Sequence, residues 1–357
     1  MKILMTGYTC PQSGVVGASR GISKYIYYVG RELFRLGEDV TLLVRDDYKP
    51  QEGWIKTVPS PKFSWMAYPF SLYKKLHSTN ADVYYSDYIT TGASLAAAKK
   101  HPRAVSVLDA IPWMENNNMT LQDRIADAWI KSCFKIVKDS DILVALTNTA
   151  RKDLLNRTNL RDEQVKVVYC GVDAEVYKPM RREPNKNLKI GYFGGLDGRK
   201  GAELVIKSFA KLSSKRSDIE LHMVGSGRNL EAFKSMNLPG AHFQPPLPDG
   251  KMVEFINSLD IFVYPTLAEG FGLPVVETMA CGVPVIASNV TTMPEVVGKY
   301  GILTDPDAEH ISEAIEKLAD DEKLRRKYSE LSLERASQLS WKNAGLMAQK
   351  VLTNICK

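Results

Sequence analysis

The sequence predicts an α/β protein built from two doubly wound, Rossmann-like domains, each with a parallel sheet covered by helices. Short apolar runs rich in β-branched residues alternate with stretches of helical periodicity from the first residue onward. The alternation breaks once, between Asp173 and Leu188, and then starts again. A length of 357 residues and a hydrophobic content of 44% also favour two cores over one.

The first predicted domain, residues 1–173, opens with a strand, a helix and a second strand. The helix spans residues 22–36 because apolar side chains recur there at helical spacing, and it stops at Gly37, a residue typical of helix C-termini. Further apolar runs predict buried strands along the rest of this half. The strands are predicted at 2–6, 40–44, 83–85, 104–108, 142–146 and 165–168.

Residues 174–187 predict a linker, since they contain two prolines and a cluster of charge and lack periodicity. The second domain, residues 188–340, then repeats the alternation of strand and helix. Its strands are predicted at 188–193, 219–224, 261–264 and 283–287. Three helical stretches with no strand after them close the chain, at 309–319, 322–337 and 341–355.

Composition argues against several classes of protein and site. The net charge of +6 is spread over 47 basic and 41 acidic residues, which does not indicate a nucleic-acid-binding surface. Five cysteines without a C-x-x-C pair argue against disulfides and zinc, and five histidines scattered singly argue against any metal site. No apolar run reaches the roughly 20 residues of a membrane span, and Met1 leads directly into a strand pattern. We therefore expect a cytoplasmic protein that needs no cofactor.

The most informative segment runs from Tyr264 to Glu277, where Glu269 and Glu277 flank a glycine turn between a buried strand and a helix start. A helix start carries free N–H groups and positive partial charge, which suit phosphate and hydroxyl oxygens. Glycines let the backbone approach a ligand, and carboxylates accept hydrogen bonds from sugar hydroxyls. The alternative is that Glu269 is a solvated loop residue and Glu277 is a charge on the helix surface. The turn and helix start consist of Gly270, Phe271, Gly272 and Leu273.

A second glycine-rich turn, from Gly191 to Gly201, ends a strand and leads into a helix. Arg199 and Lys200 fall where this turn meets the helix, so cations and backbone donors are expected to converge on one anion. This pattern suits a leaving diphosphate, and the alternative is a basic surface turn. A similar strand-to-helix turn at Gly225 predicts a wall of the same pocket.

The loop after the first strand is a third candidate. Its glycines, Gly14, Gly17 and Gly21, do not have the G-x-G-x-x-G spacing of a dinucleotide site. We interpret the loop as a mobile segment of the first domain that contacts a phosphate group of the donor. A plain connection between strand and helix is the alternative.

These segments resemble the donor-site signature of the retaining glycosyltransferases of family 4, which have the GT-B fold. Residues 269–277, 280–287 and 294–298 carry the main likeness, and Gly194–Gly201 is similar to the family's Gly-Arg-Leu-x-x-x-Lys-Gly motif. Residues 168–179 resemble its Asn-Gly-Val-Asp segment, so that the likeness covers nearly the whole chain.

The resemblance implies a role for each matching residue. Glu269 would contact the donor sugar, Glu277 would hold the ribose, and Lys200 would bind the diphosphate. The backbone of Gly270–Leu273 would serve the sugar and phosphate. The two domains would face across a cleft, the helix 341–357 would cross back to the first domain, and no catalytic metal would be required.

The chain departs from the family pattern at three positions. The arginine of the Gly-Arg-Leu motif is Gly195 here, and Arg199 is the candidate replacement. The usual histidine at the end of a strand is Leu108, which leaves Asp109 to orient the acceptor or sugar, or to act as a cap or turn residue. The asparagine before the Gly-Val-Asp segment is Cys170, which we interpret as a packing change.

The sequence thus predicts a metal-independent retaining glycosyltransferase that moves a hexose-type sugar from a nucleoside diphosphate sugar to a hydroxyl acceptor, either a glycan, a lipid-linked compound or a small molecule. A GT-B nucleotide-sugar epimerase or hydrolase, and a non-catalytic nucleotide-sugar-binding subunit, are the alternatives. Residues 61–75 mix aromatics with lysines. They fit a helix packed on the sheet, or peripheral contact with the inner face of a membrane.

Overall fold

The computed structural model describes residues 1–8, 21–46, 50, 52–59, 67–114, 121–196 and 198–356. The chain forms two compact units, the first of residues 1–170 and 341–357 and the second of residues 171–340. Gly14, Gly17 and the first six residues of the segment 61–75 lie outside the described residues. Among the described helices, none combines the length and apolar character that a bilayer span requires.

The first unit contains a seven-stranded parallel sheet with the strand order β3-β2-β1-β4-β5-β6-β7. Its strands are β1 (Lys2–Thr6), β2 (Asp39–Arg45), β3 (Ile55–Val58), β4 (Val83–Ser86), β5 (Arg103–Leu108), β6 (Ile142–Ala145) and β7 (Val165–Val167). The helices that connect them are α1 (Gly21–Arg35), α2 (Tyr68–Leu76), α3 (Ile89–Ala97), α4 (Leu121–Val137) and α5 (Asn148–Arg157). The strand order reverses direction between β1 and β4, the position where doubly wound sheets bind ligands.

The second unit contains a six-stranded parallel sheet with the order β10-β9-β8-β11-β12-β13, which reverses between β8 and β11. Its strands are β8 (Leu188–Gly195), β9 (Ile219–Ser226), β10 (Ala241–Gln244), β11 (Ile261–Tyr264), β12 (Val285–Ser288) and β13 (Ile302–Thr304). Its helices are α6 (Ala202–Ser213), α7 (Leu230–Ser235), α8 (Asp249–Asn257), α9 (Leu273–Ala280), α10 (Met293–Val297), α11 (Ala308–Asp320) and α12 (Glu322–Gln338).

The last helix, α13 (Trp341–Ile355), packs against α1 in the first unit. The Trp341 ring stacks on Tyr28 with centroids 4.9 Å apart and an interplanar angle of 9°. A Cβ atom at Gly345 would lie 2.4 Å from the Cβ of Glu32, so that the absence of a side chain allows the two helices to approach closely. The C-terminal helix therefore belongs to the core of the first unit.

The doubly wound α/β architecture predicted from the sequence is confirmed. Three strands were not predicted, namely β3, β10 and β13, and each lies at an edge of its sheet. An edge strand has a neighbour on one side only, and these three are only three or four residues long. β3 contains two buried residues, and β10 and β13 contain none. They therefore lack the continuous apolar run on which the other strands were recognised.

Candidate functional site

Two turns meet at the carboxyl ends of the neighbouring strands β8 and β11. The β8–α6 turn, residues 198–201, contains Arg199 and Lys200, and the β11–α9 turn, residues 265–272, contains Glu269. Strand order reverses between β8 and β11, so both turns lie at the switch point where such sheets bind ligands. The sequence motifs at 191–201 and 264–277 are thus brought together.

Hydrogen bonds and close backbone packing join the two turns directly. The Leu267 N–H donates to the Arg199 carbonyl at 2.7 Å, and Arg199 Nη1 donates to the Ala268 carbonyl at 2.6 Å. Gly201 has a φ of +74°, and a Cβ atom there would lie 2.1 Å from the Pro265 carbonyl oxygen. Only glycine fits such a position without displacing the neighbouring backbone. The turns therefore form one rigid platform.

The Glu269 side chain is the electrostatic centre of this platform. One of its carboxylate oxygens, Oε1, accepts a hydrogen bond from the Tyr264 hydroxyl at 2.6 Å and forms a direct ion pair with Lys200 Nζ. Its other oxygen lies 3.7 Å from Arg199 Nη1. Lys200 Nζ also lies 3.2 Å from the Tyr264 hydroxyl. Two cations thus converge on one carboxylate whose side chain is only 10% exposed.

The ionisation of this group follows from its neighbours. Burial would raise the pKa of Glu269, but the charges of Lys200 and Arg199 and the hydrogen bonds from Lys200 and Tyr264 together outweigh burial and hold the pKa below its usual value. Burial and the Glu269 charge raise the pKa of Tyr264, which therefore remains a phenol that can donate to the carboxylate. An anion bound beside Lys200 would share its ammonium with Glu269.

The start of α9 depends on a glycine, and contacts from residues 292 and 293 stabilise it. Gly272, the residue before the helix, has a φ of +93°, and a Cβ atom there would lie 2.5 Å from Met293 Cε. Pro274 occupies the first turn, where its missing N–H costs nothing. The Thr292 hydroxyl donates to the Glu269 carbonyl at 3.0 Å. These contacts fix the N-terminus of α9, with the positive end of its dipole, close to Glu269.

Glu277 lies in the second turn of α9 and is only 6% exposed. It is therefore not a solvated helix-surface charge, which was the alternative interpretation of the sequence. Burial and the Glu277 charge raise the pKa of the Cys281 thiol to about 12, so this cysteine is an inert thiol. A buried carboxylate on the helix that begins at the glycine turn is suited to binding hydroxyl groups.

The two glycines at the ends of β8 and β9 have different environments. A Cβ atom at Gly225 would lie 2.0 Å from the Gly194 carbonyl oxygen, so the close approach of the strands requires glycine. Gly195 is exposed, and a Cβ atom there would lie 3.7 Å from Lys200 Cγ, an ordinary contact. The position therefore has room for the arginine of the family motif. The guanidinium of Arg199, by contrast, is bound to the β11–α9 turn, and its role as the replacement stays a prediction.

In the first unit, the described candidate residues are Gly21 and Asp109. Gly21 is the first residue of α1. Asp109 follows β5, and its Oδ1 accepts from the Ile111 N–H at 2.9 Å, so the carboxylate binds the first N–H group of a short 3₁₀ turn, residues 111–113. Leu108, where the family has histidine, adopts a φ of +69°, a strained conformation for this residue type. A role for Asp109 toward an acceptor stays a prediction.

Sequence reasoning missed Asp87, which lies just after β4 beside the end of β1. Its Oδ2 accepts from the Tyr8 N–H at 2.9 Å, and the Thr91 hydroxyl donates to its other oxygen. Burial raises the pKa of this carboxyl to about 6, although the hydrogen bonds from Thr91 and Tyr8 oppose the shift. An aspartate directly after an apolar strand at the switch point was the available signal. Asp87 anchors the beginning of the β1–α1 connection.

The Asp87→Asn substitution is expected to make the protein less sensitive to pH. The pKa of this carboxyl is 3.8 ordinarily and about 6 in the folded protein. Between these two pH values the folded protein keeps the proton, whereas the unfolded chain has already lost it. Stability therefore falls as pH rises through this window, by up to about 3 kcal/mol. The free energy of unfolding should be measured with urea at pH 3.5 and pH 7. Between these two pH values, the stability of Asp87→Asn relative to the parent should rise by up to about 3 kcal/mol.

The matched control for this experiment is Asp82→Asn. Asp82 also accepts a β1 N–H, that of Lys2 at 2.7 Å, but at an exposed site. If Asp82→Asn and Asp87→Asn shift the pH dependence equally, the effect assigned to burial of Asp87 is wrong.

Comparisons with known proteins agree with this architecture. A family model described as Glycosyltransferase Family 4 matches residues 19–176, and one described as Glycosyl transferases group 1 matches residues 173–335. The D-inositol 3-phosphate glycosyltransferase of Corynebacterium aurimucosum is 26% identical over 390 residues, covering 96% of this chain and 92% of its own. The O-antigen chain mannosyltransferase B of Escherichia coli is 44% identical over 98 residues, 27% of this chain and 26% of its own.

Solved structures share the fold at low sequence identity. A sucrose-phosphate synthase from Thermosynechococcus elongatus matches with a TM-score of 0.84 and 18% identity over 99% of both chains. The Anabaena protein HepE, solved in complex with UDP-glucose, matches with a TM-score of 0.75 and 15% identity over 99% of this chain and 100% of its own.

Proposed function

This chain belongs to glycosyltransferase family 4, and from that premise we propose that it is a retaining enzyme that moves a hexose-type sugar from a nucleoside diphosphate donor to a hydroxyl acceptor. The observation that carries the proposal is the Glu269 carboxylate, held between Lys200, Arg199 and Tyr264 beside the glycine start of α9. This arrangement brings together a carboxylate that can accept hydrogen bonds from sugar hydroxyls, two cations that can bind phosphate, and a helix N-terminus.

In the proposed reaction, each group has one role. Lys200, with the N–H groups at the start of α9, stabilises negative charge on the leaving diphosphate. Glu269 accepts hydrogen bonds from the donor sugar, and Glu277 accepts them from the ribose. The position next to Lys200 that Gly195 leaves open gives the diphosphate access to the ammonium.

The chemical step needs no protein base at the sugar carbon. The bond between the anomeric carbon and the diphosphate oxygen breaks, and its electron pair leaves on the phosphate. The acceptor oxygen bonds to the same face of the carbon, and its proton passes to that phosphate oxygen. The protein contributes positioning and charge stabilisation. Because lysine and helix N–H groups supply the charge, transfer is proposed to be independent of metal.

For the acceptor, we propose a hydroxyl compound at a membrane interface, reached by α2. The buried side of this helix carries Tyr68, Leu72 and Leu76. Its other side presents Phe70, which is 64% exposed, and the last turn contains two lysines. Exposed aromatics beside lysines suit the surface of an anionic bilayer, where the protein would bind peripherally from the cytoplasmic side.

The assignment of Glu277 to the ribose is tested by the Glu277→Gln substitution. Glutamine keeps the shape of the side chain but loses a charged hydrogen-bond acceptor, which is worth about 1.5–3 kcal/mol. Initial rates of nucleoside diphosphate release should then show a donor KM raised by about ten- to a hundredfold, with a smaller change in kcat.

Glu203→Gln is the control, because Glu203 is an exposed residue of α6 whose charge pairs with Lys207 at the surface. Equal donor KM values for Glu277→Gln and the parent would contradict the ribose assignment. Donor consumption without a glycosylated product, across a panel of hydroxyl acceptors, would instead favour a nucleotide-sugar hydrolase.

A further inference from the structure

Three side chains that can bind a metal converge at the outer edge of the second unit's sheet. Glu220 and His222 are two residues apart on β9 and therefore point to the same face. His242 lies on the edge strand β10, directly in register with His222. The sheet register thus brings together two histidines that are 20 residues apart in the sequence.

The ligand atoms of these side chains are close enough to share one ion. His222 Nε2 lies 3.1 Å from Glu220 Oε2, and His242 Nε2 lies 4.0 Å from the same oxygen. The three ligand atoms all lie within 4.8 Å of one another. Zinc–ligand bonds of about 2.0–2.1 Å in a tetrahedral site require ligand separations of about 3.3 Å. The two imidazole rings are stacked, with centroids 4.6 Å apart and an interplanar angle of 26°, so the half-exposed His242 ring would have to rotate to direct its Nε2 at the same ion.

A neighbouring amide orients the carboxylate. Asn187 Nδ2 donates to Glu220 Oε1 at 3.0 Å, which leaves Oε2 as the oxygen that faces both histidines. Hydrogen bonds of this kind position the ligands in known metal sites. Lys189 is in register with Glu220 on β8, and its positive charge acts on His222, so a bound ion would have to outweigh this repulsion through its three ligands.

We propose that Glu220, His222 and His242 form a binding site for one zinc ion. Two imidazoles and one carboxylate are a common set of protein ligands for zinc, with water completing the tetrahedron. The site is partly open to solvent, so that an ion can enter and keep this water. Nitrogen-rich ligands also favour zinc over magnesium or calcium.

The proposed ion would stabilise the sheet edge and take no part in sugar transfer. His222 is three residues from Gly225 at the carboxyl end of β9, a separation of about 10 Å along the strand. The ion would join the four-residue strand β10 to β9, and a short edge strand gains most from such a link. The proposal is therefore independent of the proposed reaction.

The test is zinc binding by the full-length protein with any affinity tag removed, measured by competition with a chromophoric zinc chelator and by thermal unfolding. We expect zinc to raise the unfolding midpoint of the parent. His242→Ala and His222→Ala should each weaken zinc binding at least tenfold and remove this increase. His242 is 51% exposed, so its substitution should leave the fold intact.

His310→Ala is the matched control, because His310 also pairs with a carboxylate, that of Asp307, in the same unit but has no second histidine beside it. It should bind zinc as the parent does, and the cysteines are common to all variants. The proposal is overturned if His242→Ala binds zinc as tightly as the parent, or if zinc leaves the midpoint of the parent unchanged. His242→Ala should retain the full rate of sugar transfer, which keeps this result separate from the proposed function.

Discussion

Replacing Lys200 with methionine is expected to lower kcat/KM for sugar transfer by about two to three orders of magnitude. A unit charge at contact distance is worth roughly 4 kcal/mol at an effective dielectric of about 20, before desolvation. Each 1.36 kcal/mol of lost transition-state stabilisation corresponds to about a tenfold change in rate. Methionine keeps most of the aliphatic chain, so the loss measures the ammonium. Steady-state kinetics with a nucleoside diphosphate sugar provide the measurement.

Lys200 also compensates the buried charge of Glu269, so the single substitution should lower stability as well. The double substitution Lys200→Met with Glu269→Gln removes both charges and should recover the thermal midpoint without recovering transfer. Lys207→Met, on the exposed face of α6, is the matched control and should behave as the parent. If the double variant transfers sugar at the parental rate, the catalytic assignment of this pair is wrong.

The Gly201→Ala substitution is expected to destabilise the second unit by about 3 kcal/mol or more and to abolish donor binding. Its Cβ atom would lie 2.1 Å from the Pro265 carbonyl oxygen, so one of the two turns must move. A left-handed alanine adds about 1–2 kcal/mol of backbone strain. Since the turns hold Lys200 and Glu269 together, their separation should disrupt the site. Chemical denaturation and donor titration measure the two effects.

Gly198→Ala separates the steric clash from the backbone strain. Gly198 lies in the same turn and has a φ of +52°, but a Cβ atom there would have no neighbour within 4 Å. Its substitution should therefore lower stability by only about 1–2 kcal/mol and leave donor binding largely intact. Comparable losses for the two variants would show that the contact between the turns is not what positions the site.

The parallel core of both sheets could be predicted from the sequence because strands buried on both faces, such as β8 and β11, are nearly continuous apolar runs. The edge strands β3, β10 and β13 could not, since they are only three or four residues long and most of their residues are partly or fully exposed. The register of β10 on β9 is what places His242 beside His222. Because β10 could not be predicted, the two histidines could not be recognised as neighbours from the sequence.

Within the candidate donor site, local motifs identified Lys200 and Glu269 because each follows a strand and adjoins a glycine turn. Their ion pair joins residues 69 positions apart, and it depends on β8 and β11 being neighbours in the sheet. The orientation of Arg199 toward the Ala268 carbonyl depends on the same adjacency. Local sequence patterns specify which residue types end a strand, whereas strand order decides which ends meet.

The most direct test of the donor site is the equilibrium binding of uridine, guanosine and adenosine diphosphates to the full-length protein, measured by isothermal titration calorimetry. The parent and Lys207→Met are expected to bind at least one of these nucleotides with equal affinity. Lys200→Met should bind the same nucleotide at least tenfold more weakly, because the β8–α6 turn loses its diphosphate-binding ammonium. Parental affinity in Lys200→Met, or no binding of any of the three by the parent, would contradict a nucleoside diphosphate site built on Lys200 and Glu269.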